Sequence, residues 1–193
     1  MDSKIDQQNS LQLIQEMIET SKTNYSENAV FFLLWGWLVL AASIIHFILL
    51  KIGYMYSFLP WPILMTAGAI ASGIIGARIG KRSTVWSYID KMMVYLWYGF
   101  FITVVIMIVF TVLGHISWQV TQPLIISMYG LGTFVSGGVL KFRPLIYGGI
   151  LSWICAIVAF FLPYEYGLLL IALSIVVAYL IPGYLLQHKS KAQ

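Results

Sequence analysis

The chain has 193 residues, 60% of them hydrophobic and 9% charged, with a formal charge of +4. Ordinary globular proteins carry roughly 45–50% apolar and about 25% charged residues, and 18 charges (11 Lys and Arg plus 7 Asp and Glu) cannot solvate a 21.8 kDa globule. A soluble enzyme, a disordered tail and a disulfide scaffold are excluded, the last because Cys155 has no second cysteine to pair with.

The amino-terminal arm, residues 1–27, has its own pattern. Between Leu11 and Lys22, the positions Leu11, Leu13, Ile14, Met17 and Ile18 project within about 160° at roughly 100° per residue. Gln12, Gln15, Glu16, Glu19 and Lys22 face the other way. The pattern predicts a short amphipathic helix, capped by Asn9 or Ser10 and closed by the turn-forming Thr23-Asn24-Tyr25-Ser26. Asn24 and Glu27 are expected to cap the next helix. The apolar stripe suits a headgroup surface or a protein groove, in the bundle's own inner loops or in a cytoplasmic partner. Membrane-surface helices usually carry Lys or Arg on their polar face, and this one carries Glu16 and Glu19.

After the arm, six apolar runs approach the roughly 20 residues that a helix needs to cross about 30 Å of hydrocarbon. They cover 29–50, 60–79, 94–113, 123–140, 145–162 and 167–186. Each is continuous, whereas a barrel strand would alternate over about ten residues. The first run is too long for a cleavable signal peptide and is expected to stay in the membrane. The expected fold is all-α: a six-helix transmembrane bundle over 28–187, possible as three stacked hairpins, preceded by the arm and followed by a tail, 188–193.

With six spans, Lys4, Lys22, Arg78, Lys81, Arg82, Lys91, Lys141, Arg143, Lys189 and Lys191 share one side and Lys51 alone holds the other. This asymmetry predicts that both termini are cytoplasmic. Arg78, just inside the second run, is expected to snorkel outward. Tyr54, Tyr56, Trp61, Trp118, Tyr164 and Tyr166 lie at the opposite connections, as an interfacial belt does.

In the second run Gly68, Ser72, Gly76 and Gly80 recur every four residues, beside a row of Ala69, Gly73 and Ala77. Such a face lets another backbone approach closely. It predicts a tight crossing, within the chain or between two copies, with Gly130, Ser136, Gly137 and Gly138, or Gly148, Ser152 and Ala156, as partner surfaces. Gly76→Leu is expected to disrupt that crossing. Pro182 and Gly183 are expected at a helix end.

Two echoes favour hairpin duplication. Leu34-Trp35-Gly36 answers Leu96-Trp97-Tyr98-Gly99, with Pro62 and Pro123 opening the helices that follow. Phe58-Leu59-Pro60-Trp61 answers Phe161-Leu162-Pro163-Tyr164, with Gly80 and Gly183 at equal offsets from the prolines. Through Gly36, Gly148-Gly149, the Phe-Leu-Pro turns and its length, the chain resembles the HdeD-type acid-resistance membrane proteins, which implies a small six-helix bacterial protein. The arm followed by Leu34-Trp35-Gly36-Trp37 is similar to uncharacterised small six-helix bacterial inner-membrane proteins. Neither resemblance brings a catalytic residue.

The carboxylates are Asp2, Asp6, Glu16, Glu19, Glu27, Asp90 and Glu165, none in the middle of a run. An aspartyl intramembrane protease needs two buried acids, a helical metalloprotease a His pair with a Glu, and a serine nucleophile a base within reach. No catalytic, cofactor or metal residue is expected. His46 and His115, near the outer ends of odd-numbered helices, could converge on haem or a metal, and hydrogen bonding is their ordinary role. Cys155 reads as a buried apolar residue. The expected function is a non-enzymatic accessory or regulatory membrane protein acting through small-residue packing and the arm. The alternative is a transporter or substrate-binding membrane subunit for an uncharged apolar ligand, held among Ser43, Thr66, Ser127, Thr133 and Trp153. Membrane lipids, a cytoplasmic protein and a second copy are the partners expected, and nucleic acid is not.

Overall fold

A computed structural model describes residues 28–82 and 88–192. The arm, with Leu11, Leu13, Ile14, Met17, Ile18 and the Asn24–Glu27 pair, lies outside the described residues. Among those described, every regular element is helical: α1 (Asn28–Lys51), α2 (Pro60–Arg82), α3 (Tyr88–Val112), α4 (Trp118–Val139), α5 (Arg143–Phe161), α6 (Tyr164–Ile175) and α7 (Ile181–Ala192). A π-turn, Val176–Leu180, joins α6 to α7 in one unbroken rod.

Five stretches among the described residues are long and apolar enough to cross a membrane: Asn28–Lys51, Pro60–Lys81, Ile89–Val112, Arg143–Phe161 and Tyr164–Lys189. The fourth expected run is the difference. It folds as the 22-residue α4, long enough but not apolar enough, because Gln119, Thr121, Gln122, Ser127, Thr133, Ser136 and four glycines dilute it. Most of these polar residues are spent inward: Thr121, Gln122, Thr133 and Ser136 are buried, and α4 packs against α3, α5 and α6. A helix surrounded by protein needs close approach and hydrogen bonds rather than solubility in lipid.

Successive helices run antiparallel. Trp35 and His46 on α1 meet Ser72 and Trp61 on α2 in reverse order. Thr111 at the end of α3 meets Thr121 at the start of α4, and Ser152 on α5 meets Ser174 on α6. One end of the bundle therefore gathers Asn28, Lys81, Lys141, Arg143 and Lys189, and the other gathers Lys51, Trp118 and Tyr164. We call these the basic and aromatic ends.

Three helices stop in the same way. In each, an amide bonds back five residues (Tyr54 to Leu49, His115 to Phe110, Phe142 to Gly137, all 2.9 Å) across a residue in the left-handed region, as Schellman turns do. Gly53 (φ 73°) and Gly114 (φ 80°) fill that position in two turns, and Lys141 (φ 50°) fills it in the third. Pro182 stands inside the last rod, not at its end. Proline lacks an amide proton and its ring crowds the carbonyl four residues back, here Ala178. The π-turn just before it widens the helix there, and Ile181 N–H donates to Val176 O instead. The rod continues into the expected tail as far as Ala192.

Candidate functional site

The small residues on α2 divide between two environments. An added Cβ on Gly68 would lie 2.7 Å from Leu38 and 3.2 Å from Trp35, both on α1, and Trp35 Nε1 donates to Ser72 Oγ at 3.0 Å. Gly73, Gly76 and Gly80 meet nothing within 4 Å, and Ala69 and Ala77 are exposed. Within one chain, Gly76→Leu therefore has no described crossing to disrupt.

The closest helix crossing lies elsewhere, between α4, α5 and the π-turn. A Cβ on Gly137 would come within 2.7 Å of Ile146 N, and one on Gly148 within 2.7 Å of Val177 O and 2.8 Å of Ala178 Cα. Gly130 and Gly149 oppose each other, each blocked by the other's carbonyl at 3.0 and 2.8 Å. The glycines expected to receive α2 are thus closed by α5 and the π-turn instead. Only Gly138 faces open space.

A seam of hydroxyls and amides runs through this packed half. Ser174 Oγ donates to Ser152 Oγ at 2.9 Å, which donates to Gly148 O at 3.0 Å. Thr133 and Ser136 bond the carbonyls of Tyr129 and Gly132, each at 2.7 Å. Ser43 on α1 donates to Leu168 O at 2.5 Å. Gln122 of α4 reaches into the first turn of α6: with its amide assigned so that both atoms are satisfied, its nitrogen donates to Tyr164 O at 3.2 Å and its oxygen accepts from Leu168 N at 3.0 Å. Gly167 leaves that amide its room, since a Cβ there would overlap Gln122.

Beside the seam sits an aromatic cluster drawn from four elements. Tyr179 of the π-turn packs edge-on against Phe32 of α1, Trp97 of α3 and Tyr129 of α4, with centroids at 5.4, 6.0 and 5.6 Å. Phe100 closes the ring against Trp97 and Tyr129, each at 5.2 Å. The Tyr179 hydroxyl is buried, with the Thr133 hydroxyl beside it but no hydrogen bond of full geometry. Nothing in composition or spacing singled out Tyr179; the nearby Pro182 was the available signal, since it forces the π-turn that carries the tyrosine.

At the aromatic end, Trp61 Nε1 donates to His46 Nδ1 at 2.9 Å, while the Tyr164 ring packs edge-on against the same imidazole at 6.0 Å. These are the two aromatics that close the Phe-Leu-Pro echoes, and they meet on one histidine. The first echo also has a spatial counterpart: Trp35 covers Gly68, and Trp97 covers Gly132, each 3.2 Å from an added Cβ. Lys51 pairs with Glu165 at 2.8 Å and lies over Phe47 and Tyr166.

His46 is buried among these partners, whereas His115 is exposed beside Phe110. Among the described residues no three His, Cys, Asp or Glu side chains gather as a metal site would require. Cys155 is buried in α5. Of the polar groups considered for a ligand, Ser43 and Thr133 are committed to carbonyls, Trp153 Nε1 bonds Ser127 O at 3.1 Å, and Thr66 is exposed on α2. Comparison with known proteins returns no matching family model, curated protein or solved structure.

Proposed function

We propose that this chain is a multi-pass bacterial inner-membrane protein of six spans with both termini cytoplasmic. It acts without catalysis, as an accessory or regulatory component whose arm makes the regulatory contact. The observation that carries the membrane reading is the bareness of α2 and α3. Only 6% of the apolar stretch of α2 and 11% of that of α3 are buried, against 56% for the last rod. Contiguous apolar faces of that extent drive association in water, and hydrocarbon solvates them. The less apolar α4 crosses as the inner helix, shielded by its neighbours.

Interior chemistry supports an accessory role. The polar groups of the packed half are hydroxyls and amides joined to one another or to helix carbonyls, as interhelical bonds are in membrane bundles. The transport reading has one specific observation behind it: a buried Tyr179 hydroxyl beside Thr133, in an aromatic cluster at a π-turn, without a full hydrogen bond. Such turns recur at functional sites, and a buried donor held this loosely is one that an uncharged ligand could engage.

Purification in mild detergent of the intact chain beside one lacking residues 1–22, with mass spectrometry of all retained molecules, separates the readings. A protein kept only by the intact chain supports the regulatory role. A small molecule kept by both, and lost on Tyr179→Phe, favours transport. A chain that partitions into the aqueous phase after membrane extraction sinks both.

A further inference from the structure

Charge is segregated along this chain in a way that the membrane alone does not require. The arm carries Asp2, Asp6, Glu16, Glu19 and Glu27 against Lys4 and Lys22, a net −3. At the basic end Arg78, Lys81, Arg82, Lys91, Lys141, Arg143, Lys189 and Lys191 stand against Asp90, a net +7. Lys51 and Glu165 cancel at the aromatic end, and the three sums return the +4 of the whole chain. Lys and Arg at one end follow from the rule that orients membrane proteins, but acidic residues contribute little to that rule. The acidity of the arm needs another cause.

A headgroup surface is a poor one. The cytoplasmic leaflet is anionic and attracts polybasic segments, so Glu16 and Glu19 are repelled by the surface on which the apolar stripe would lie. The nearest positive surface is the chain's own. Arg78, Lys81, Lys91, Lys141 and Arg143 are all exposed, on the inner ends of α2, α3 and α5 and in the α4–α5 turn. The arm joins this end at Asn28. The helix expected in the arm ends at Lys22, six residues upstream, so the link can reach up to about 20 Å when extended.

We infer that the arm docks on the basic end of its own bundle through its acidic face, Glu16 and Glu19 toward the Lys141–Arg143 turn. This rests on the proposed topology, in which arm and basic end share the cytoplasmic side. The arm is then a built-in competitor: a cytoplasmic partner with an acidic helix would displace it and expose the same surface.

The test uses the full chain in native membranes, with Cys155→Ala as background. Gln15→Cys is paired with Gly138→Cys, a position beside the turn where a side chain meets open space. A bifunctional maleimide should link the two thiols within one chain, and Gln15→Cys with Met55→Cys, at the aromatic end, should not link. Lys141→Glu with Arg143→Glu should cut the yield several-fold, and adding Glu16→Lys with Glu19→Lys should restore it. Links only between chains, no link, or a yield indifferent to charge reversal would overturn the docking. An impermeant maleimide on sealed vesicles keeps the two claims apart. If the Gln15→Cys and Gly138→Cys thiols label from opposite faces, the topology itself fails. If they label from one face and do not link, only the docking fails.

Discussion

The two halves of the bundle are held by different means. From α4 to α7, backbones meet at glycine and hydroxyls bond across or along the helices, so each close approach is enforced by atoms that cannot move aside. The α2 helix, by contrast, hangs on α1 through two indole bonds, Trp35 to Ser72 and Trp61 to His46, and one Gly68 contact. Its remaining small residues face away from the chain. A row of small residues is thus no guide to where a crossing lies. What decides is whether a second backbone is present opposite it.

The sharpest way to break this comparison is to fill one glycine in the packed half. Gly148→Leu puts a branched side chain against Val177 O and Ala178 Cα, which are backbone and cannot yield. It should cost more than the roughly 1–3 kcal/mol typical of overpacking, with loss of the monodisperse species on size exclusion in detergent. Unchanged behaviour would mean that α5 and the π-turn are not in contact.

Next in size is Gln122→Leu. It removes the bridge to Tyr164 O and Leu168 N, which lie four residues apart in α6 and can still bond each other, so the cost is that of the lost interhelical bonds, about 0.5–1.5 kcal/mol. A matching fall in thermal stability is expected, together with faster proteolysis near Pro163 as the first turn of α6 loosens. Ser174→Ala removes only the bond to Ser152 and should cost less, about 0.6 kcal/mol by analogy with other interhelical bonds. Denaturant unfolding in mixed micelles measures both, and a larger loss for Ser174→Ala would reverse the order assigned to the seam.

Much of the architecture was legible from residue patterns. Apolar runs of bilayer length gave the helices with ends off by up to about six residues, and Gly53 and Gly114 lie in the turns that needed positive φ. The fourth run reads as a span, and its polar residues mark the inner face of that helix: Thr121, Gln122, Thr133 and Ser136 are buried in α4, which packs against α3, α5 and α6. The repeat of Gly68, Gly76 and Gly80 was visible, but its partner was not, because spacing gives a face and not a neighbour. The aromatic cluster was illegible for the same reason: Phe32, Trp97, Phe100, Tyr129 and Tyr179 come from four elements with no common period. Proline at position 182 announced a break, and only the unbroken rod shows that a π-turn absorbed it.

The smallest effects test the comparison most finely, because they have opposite causes. Tyr179→Phe deletes a buried hydroxyl that lies beside Thr133 without a full hydrogen bond and keeps every ring contact, so it should leave stability within about 1 kcal/mol. A larger loss that Thr133→Val does not reproduce would show that the hydroxyl has a partner other than Thr133, and would strengthen the transport reading. Gly76→Leu should leave the stability of the single chain within about 0.5 kcal/mol, the range of ordinary surface changes, since no atom lies within 4 Å of the added Cβ. Its informative readout is the oligomeric state at matched detergent concentration. If the wild-type chain forms a dimer and Gly76→Leu dissociates it while the monomer unfolds at the same temperature, the bare face of α2 is a seam between copies. If the two chains run identically, lipid is what covers it, and the small residues there serve no crossing.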